Sequence, residues 1–123
     1  MANNLGKDTK QLVDAVVAAM EDKKGSDIIV IDFSKAPNTV AQSFVICHGS
    51  SNTHVDTIAD GVIEGVRVQT ETKPWSKEGY ENAEWILLDY ADVVVHIFQE
   101  NTRKFYNLEA LWADLDITRI NSK

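Results

Sequence analysis

The sequence predicts an α/β fold, a mixed β-sheet with helices packed on it, and three observations carry that expectation. Stretches with apolar residues at three- and four-residue steps alternate with short runs of β-branched residues. One of those runs, Ile28-Ile29-Val30-Ile31, is apolar without alternation, as in a strand covered on both faces. Two more, Trp85–Asp89 and Val93–Phe98, flank a short polar break and read as a hairpin.

Asp8 and Thr9 are good helix caps, and Leu12, Val13, Val16, Val17 and Met20 then fall on one helical face. Lys23, Lys24 and Gly25 end that helix, with cations against its dipole and glycine expected in the left-handed position. Asp27–Phe33 follows as a central strand, then a loop with Pro37 and Asn38, then a second strand from Ser43 to His48 that neighbours the first. Gly49-Ser50-Ser51-Asn52 opens a second helix bearing Val55, Ile58, Ala59, Val62, Ile63 and Val66. Val68–Lys73 alternates weakly, as a short edge strand stopped by Pro74 would, and Trp75–Ala83 reads as polar loop. After the hairpin, Thr102 is placed to cap a last helix carrying Phe105, Tyr106, Leu108, Glu109, Leu111 and Trp112. One domain over residues 1–123 is expected, with loosely ordered ends at about 1–7 and 117–123, since no repeat or linker composition interrupts the chain.

A hydrophobic content of 44% with 25% charged residues suits a chain that folds alone on its own core. Twelve basic against nineteen acidic residues leave a net charge of -7, so little direct attraction to nucleic-acid phosphates is expected. A partner with a basic surface fits that charge, and so does a plain solubility role. Cys47 is the lone cysteine, which rules out an internal disulfide and a multi-cysteine zinc site. Without a signal-like start or an apolar stretch of about eighteen residues, the reading is a cytoplasmic protein away from membranes.

The chemistry-bearing residues assemble no catalytic set. Gly49-Ser50 between a strand and a helix could cradle a phosphate, because amides at a helix start attract anions, but glycine there also simply turns the chain. A metal-dependent nucleotidyltransferase built on that turn is the alternative function, and it would need two or three carboxylates converging nearby. Asp56, Asp60 and Glu64 recur at four-residue steps on the solvent side of the second helix, while Asp89 and Asp92 suit a hairpin turn. His48, His54 and His96 lack the spacing of a helical zinc site, and Cys47 reads as a small core residue. No cofactor and no metal is therefore expected. His96 falls with Val94 and Phe98 on one strand face, where a buried imidazole needs a hydrogen-bond partner. Trp85, Tyr90, Tyr106 and Trp112 belong to the residue types that dominate protein interfaces and also fill cores. Tyr90, at the hairpin turn, is expected to be exposed, and the adjacent Phe105 and Tyr106 cannot face the same way.

The run Asp89-Tyr90-Ala91-Asp92-Val93-Val94-Val95-His96-Ile97-Phe98, followed by Arg103, Tyr106 and Leu108-Glu109-Ala110-Leu111-Trp112, resembles the ribosomal silencing factor family, also called Iojap-related. The similarity extends from the Leu12 helix through Phe44-Val45-Ile46-Cys47-His48-Gly49 and His54-Val55 to Trp112. That resemblance implies a nucleotidyltransferase-like fold without transferase activity. It implies binding to the large ribosomal subunit through ribosomal protein number fourteen, which blocks joining of the small subunit and represses translation when nutrients are scarce. A homodimer when free is also implied. Trp85, Tyr90 and Tyr106 are carried over as partner-facing positions, with Asp92, His96 and Arg103 as supporting candidates, and bracing of the hairpin is the alternative role for Asp92 and His96. Two residues depart from the family pattern: Ala91 stands where glycine is usual, and Gln42 where Asp is usual. A positive φ at Ala91 would cost about 1 kcal/mol relative to glycine.

Overall fold

The computed structural model describes residues 2–36 and 41–120, the side chains of 2–7 excepted. The Pro37–Asn38 loop lies outside the described residues. In chain order the elements are α1 (Ala2–Asp22), β1 (Ser26–Asp32), β2 (Ser43–Gly49), α2 (Asn52–Thr70), β3 (Ser76–Glu78), β4 (Trp85–Asp89), β5 (Val93–Gln99), α3 (Glu100–Tyr106), α4 (Leu108–Leu111) and β6 (Asp116–Arg119). The strands form one mixed sheet in the order β3-β4-β5-β2-β1-β6. β2 and β5 run parallel and the remaining neighbours are antiparallel.

Helices α1 and α2 cover one face. Leu12, Val16, Met20, Val55, Ile58, Val62 and Val66 bury their apolar stripes there against Ile28, Val45, Cys47, Ile86, Leu88, Val95 and Ile97. The opposite face holds Ile29, Ile31, Ile46 and Phe98 beneath Leu108, Trp112 and Leu115. β1 is therefore apolar on both sides because both sides are covered, as its unbroken run requires. Phe33, just after that strand, joins the second face.

Several boundaries differ from the sequence reading, each for a local reason. α1 begins at Ala2, upstream of Asp8, so Thr9 lies inside the helix and its hydroxyl reaches Asp92 Oδ2 at 3.4 Å. At the other end Lys24 takes the left-handed position at φ 65, with Gly25 N–H donating to the Met20 carbonyl at 2.8 Å. Gly25 is needed for space instead, since a Cβ there would stand 3.0 Å from Cys47 Sγ. The expected edge strand at 68–73 is the end of α2 and its cap, Glu71 at φ 57. The edge strand is β3, inside the supposed polar loop, where Ser76–Glu78 is exposed throughout and carries no alternation to betray it. The last helix starts at Glu100 with Gln99 as cap, upstream of Thr102, and breaks at Asn107, whose φ is 48. Residues 117–119, within the end expected to be loose, belong to β6 and pair with β1 through Ile29↔Arg119 to Ile31↔Ile117.

Candidate functional site

The second face of the sheet is aromatic and only partly covered. Alternation along β4, β2 and β5 brings Trp85, Phe44, His96 and Phe98 to that face, because Trp85 pairs with Phe98, and Phe44 and Ile46 pair with Val94 and His96. The rings are in contact from one end to the other. Phe105 meets Tyr106 edge-on at 5.0 Å between centroids, Tyr106 lies 4.8 Å from Trp85, and Trp85 lies 4.8 Å from Phe98. Phe44 lies 4.5 Å from the His96 ring, and Trp112 stands edge-on to both Phe44 and Phe33 at 5.2 Å. Aromatic pairs at such separations contribute about 0.5–1.5 kcal/mol each beyond their buried area. One end of this row is open: Phe105 is 80% exposed, Tyr106 50% and neighbouring Leu111 66%.

His96 holds the centre of the row. Trp85 donates its indole N–H to His96 Nδ1 at 3.1 Å, and an indole nitrogen can only donate. Nδ1 therefore carries a lone pair. Burial lowers the His96 pKa to about 4, so the ring is neutral with its proton on Nε2. That nitrogen is buried and finds no partner among the described residues.

The six residues carried over from the resemblance do not form one contact set. Trp85, His96 and Tyr106 share the aromatic face. Tyr90 does not: it is 4% exposed and packs in the helix-side core, where burial pushes its phenol up to about 12. The expectation that a turn residue faces solvent fails because Tyr90 is folded into the core shared with α1 and α2. Asp92 is a brace, its carbonyl accepting from Gln42 N–H at 2.7 Å and Ser43 N–H at 3.1 Å while its carboxylate meets Thr9. Arg103 is 5% exposed and inward-facing, with a guanidinium that donates to Glu109, Ser26 and His48. Phe44 is not among the carried-over residues, because it reaches the face only through the parallel β2–β5 pairing, which no local pattern announces.

The hairpin turn is strained at Ala91. Its φ is 73, and Asp92 N–H donates to the Tyr90 carbonyl at 2.9 Å, closing a three-residue turn of the rare positive-φ kind. Asp89 Oδ1 compensates by accepting from Ala91 N–H at 2.8 Å. Asp89 is thereby occupied as a turn residue.

The Gly49-Ser50 turn is already filled from within. Ser50 N–H donates to His54 Nδ1 at 2.9 Å, and His54 Nε2 meets the Lys23 carbonyl at 2.8 Å, so both ring nitrogens are satisfied by the chain itself. Ser51 caps α2 by accepting from His54 N–H at 3.0 Å. Gly49 leaves room for that imidazole, since a Cβ would sit 3.0 Å from His54 Nδ1. The amide that an anion would use is thus taken, and Glu64 is paired with Arg67 on the exposed side of α2. Among the described residues no group of three or more His, Cys, Asp or Glu converges as a metal site would require. Cys47 is fully buried with its thiol pushed up to about 12, which leaves it unreactive as a nucleophile.

A mixed sheet with α1 and α2 on one face carries a half-open aromatic row on the other, and that frame can be set beside known proteins. A family model described as ribosomal silencing factor during starvation matches residues 6–123. Ribosomal silencing factor RsfS of Bacillus subtilis is 35% identical over 117 residues, covering 91% of this chain and 93% of that protein. A crystal structure of a Chromobacterium violaceum protein is similar with a TM-score of 0.79 at 32% identity, covering 92% of this chain and 93% of that one. The mouse protein named mitochondrial assembly of ribosomal large subunit protein 1 is 26% identical over 81% of this chain and 44% of its own length. The chain belongs to the ribosomal silencing factor family.

Proposed function

We propose that this protein binds the large ribosomal subunit through ribosomal protein number fourteen and blocks docking of the small subunit, repressing translation under nutrient limitation. The observation that carries this reading is the aromatic row ending in exposed Phe105 and Tyr106. Tyrosine and tryptophan in part-open packing are the side chains that most often supply the energetic centre of a protein contact. The net charge of -7 favours a basic protein surface over bare phosphate as the docking ground. The name of the mouse relative also points to the large subunit.

In this reading the chain works by occupancy, without substrate turnover, in the cytoplasm, and is a homodimer when free. Among the described residues no helix is long and apolar enough to cross a membrane. The test is co-sedimentation with purified large subunits, followed by pull-down of purified ribosomal protein number fourteen. Retention in both, and binding weakened roughly thirtyfold in both with Tyr106→Ala, is the expected result. Failure to sediment with free large subunits overturns the proposal.

A further inference from the structure

Arg103 is buried in α3, the helix that carries the open end of the aromatic row, and its surroundings give it a different role from contact. Nε and one terminal nitrogen donate to Glu109 Oε2 at 3.1 and 2.9 Å. The other terminal nitrogen donates to the Ser26 carbonyl at 3.3 Å and meets His48 Nδ1 at 2.9 Å. Four of the five guanidinium donors are thereby used, on groups from the start of β1, the end of β2 and α4. A buried guanidinium tolerates desolvation only with such complete pairing.

The ion pair and the helix break require each other. Residues six apart in an unbroken helix point about 120° away from one another, so Arg103 and Glu109 could not meet on one. They meet because Asn107, at φ 48, turns the chain between α3 and α4. Just before that turn, at the end of α3, Phe105 and Tyr106 are exposed and Tyr106 rests against the Trp85 ring. At its far end α4 delivers Trp112 to Phe44.

We propose that Arg103 and Glu109 are positioning residues for partner binding, a pin that holds the α3–α4 elbow so that Phe105 and Tyr106 present a fixed edge to the ribosomal partner. The inference rests on the proposed function for its binding readout, while the position of the elbow is read on the free chain. Neither residue touches the partner; each acts through the two exposed rings. The partner it implies offers an apolar recess to those rings, and no acid is needed opposite Arg103.

The experiment measures binding of purified large subunits by the wild-type chain, Arg103→Lys, Glu109→Gln and the Phe105→Ala/Tyr106→Ala double variant, then by each pin variant combined with that double variant. All are measured well below their melting temperatures, with folding checked by circular dichroism. Arg103→Lys keeps the charge and loses the fork. Each pin variant is expected to weaken binding about tenfold and to move the NMR signal of the Trp85 indole N–H in the free protein. On the double-variant background each is expected to change affinity less than twofold, and the salt dependence of binding stays that of wild type. Full additivity on that background, a changed salt dependence for Glu109→Gln, or an unmoved Trp85 signal overturns the pin. If Arg103→Lys fails to fold, Glu109→Gln alone decides by the same criteria. A wild-type chain that does not bind large subunits overturns the proposed function, and the Trp85 signal then judges the elbow by itself.

Discussion

Acid should weaken this fold through one imidazole. His96 has a native pKa of about 4, against about 6.5 for histidine in an unfolded chain. The cause is burial: the residue is 4% exposed, among Phe44, Trp85 and Phe98. Between pH 6.5 and 4 the unfolded chain binds a proton that the native chain refuses, so stability falls as pH falls. The stabilisation is fully present above pH 6.5 and gone below about pH 4, and 2.5 units correspond to about 3 kcal/mol. That is a large share of the roughly 5–15 kcal/mol of a typical domain. Urea unfolding followed by far-ultraviolet circular dichroism, from about pH 7 to about pH 4, measures it. His96→Asn supplies the control, because its side-chain oxygen can still accept from Trp85 while nothing titrates. The wild type should lose about 3 kcal/mol more than the variant over that window. Burial and Arg103 lower the His48 pKa in both proteins alike, so its contribution cancels. Parallel loss in the two proteins refutes the reasoning.

Ala91→Gly should stabilise by about 1 kcal/mol, since glycine adopts a φ of 73 without penalty, and the melting temperature should rise by roughly 3–6 °C in calorimetry. Tyr106→Ala should leave the fold nearly intact, because the ring is half exposed, yet weaken large-subunit binding by about 2 kcal/mol, roughly thirtyfold, in a sedimentation assay. Trp85→Ala should lose binding too, but with a stability cost approaching the roughly 3–5 kcal/mol of a core ring, so its binding is read beside its unfolding curve. A nucleoside triphosphate with Mg²⁺ should not shift the melting temperature, since the Ser50 amide is held by His54; a ligand at about a hundred times its dissociation constant would add about 2.7 kcal/mol.

Much of this architecture is written in side-chain periodicity, and the parts that are not have a common cause. The stripes Leu12–Met20 and Val55–Val66 announce two amphipathic helices because each must bury one face. The unbroken Ile28–Ile31 run announces a doubly covered strand for the same reason. β3 and β6 carry no such sign: Ser76–Glu78 is wholly exposed, and Asp116–Arg119 offers Ile117 alone, so backbone pairing makes both strands. Lys24 and Ala91 hold left-handed conformations that residue type does not advertise, Asn107 holds one that its type tolerates, and Gly25 holds none.

The site was legible in its residue types and not in their directions. Trp85 and Tyr106 could be picked as contact residues, yet Tyr90 and Arg103 belong to the same enriched classes and lie inside. Tyr90 is folded into the core shared with α1 and α2, and Arg103 is drawn inward by Glu109, which only the break at Asn107 brings within reach. Phe44 joins the row through a parallel pairing of strands separated by α2 and the hairpin's first arm, a long-range fact that no window of sequence contains.

Subunit joining, followed by light scattering as purified small subunits are added to large ones, tests the account most directly. Preincubation of the large subunits with this protein should suppress the joining signal, and the Tyr106→Ala chain at equal concentration should restore most of it. Joining that proceeds at full extent with the wild-type chain in saturating excess contradicts the account.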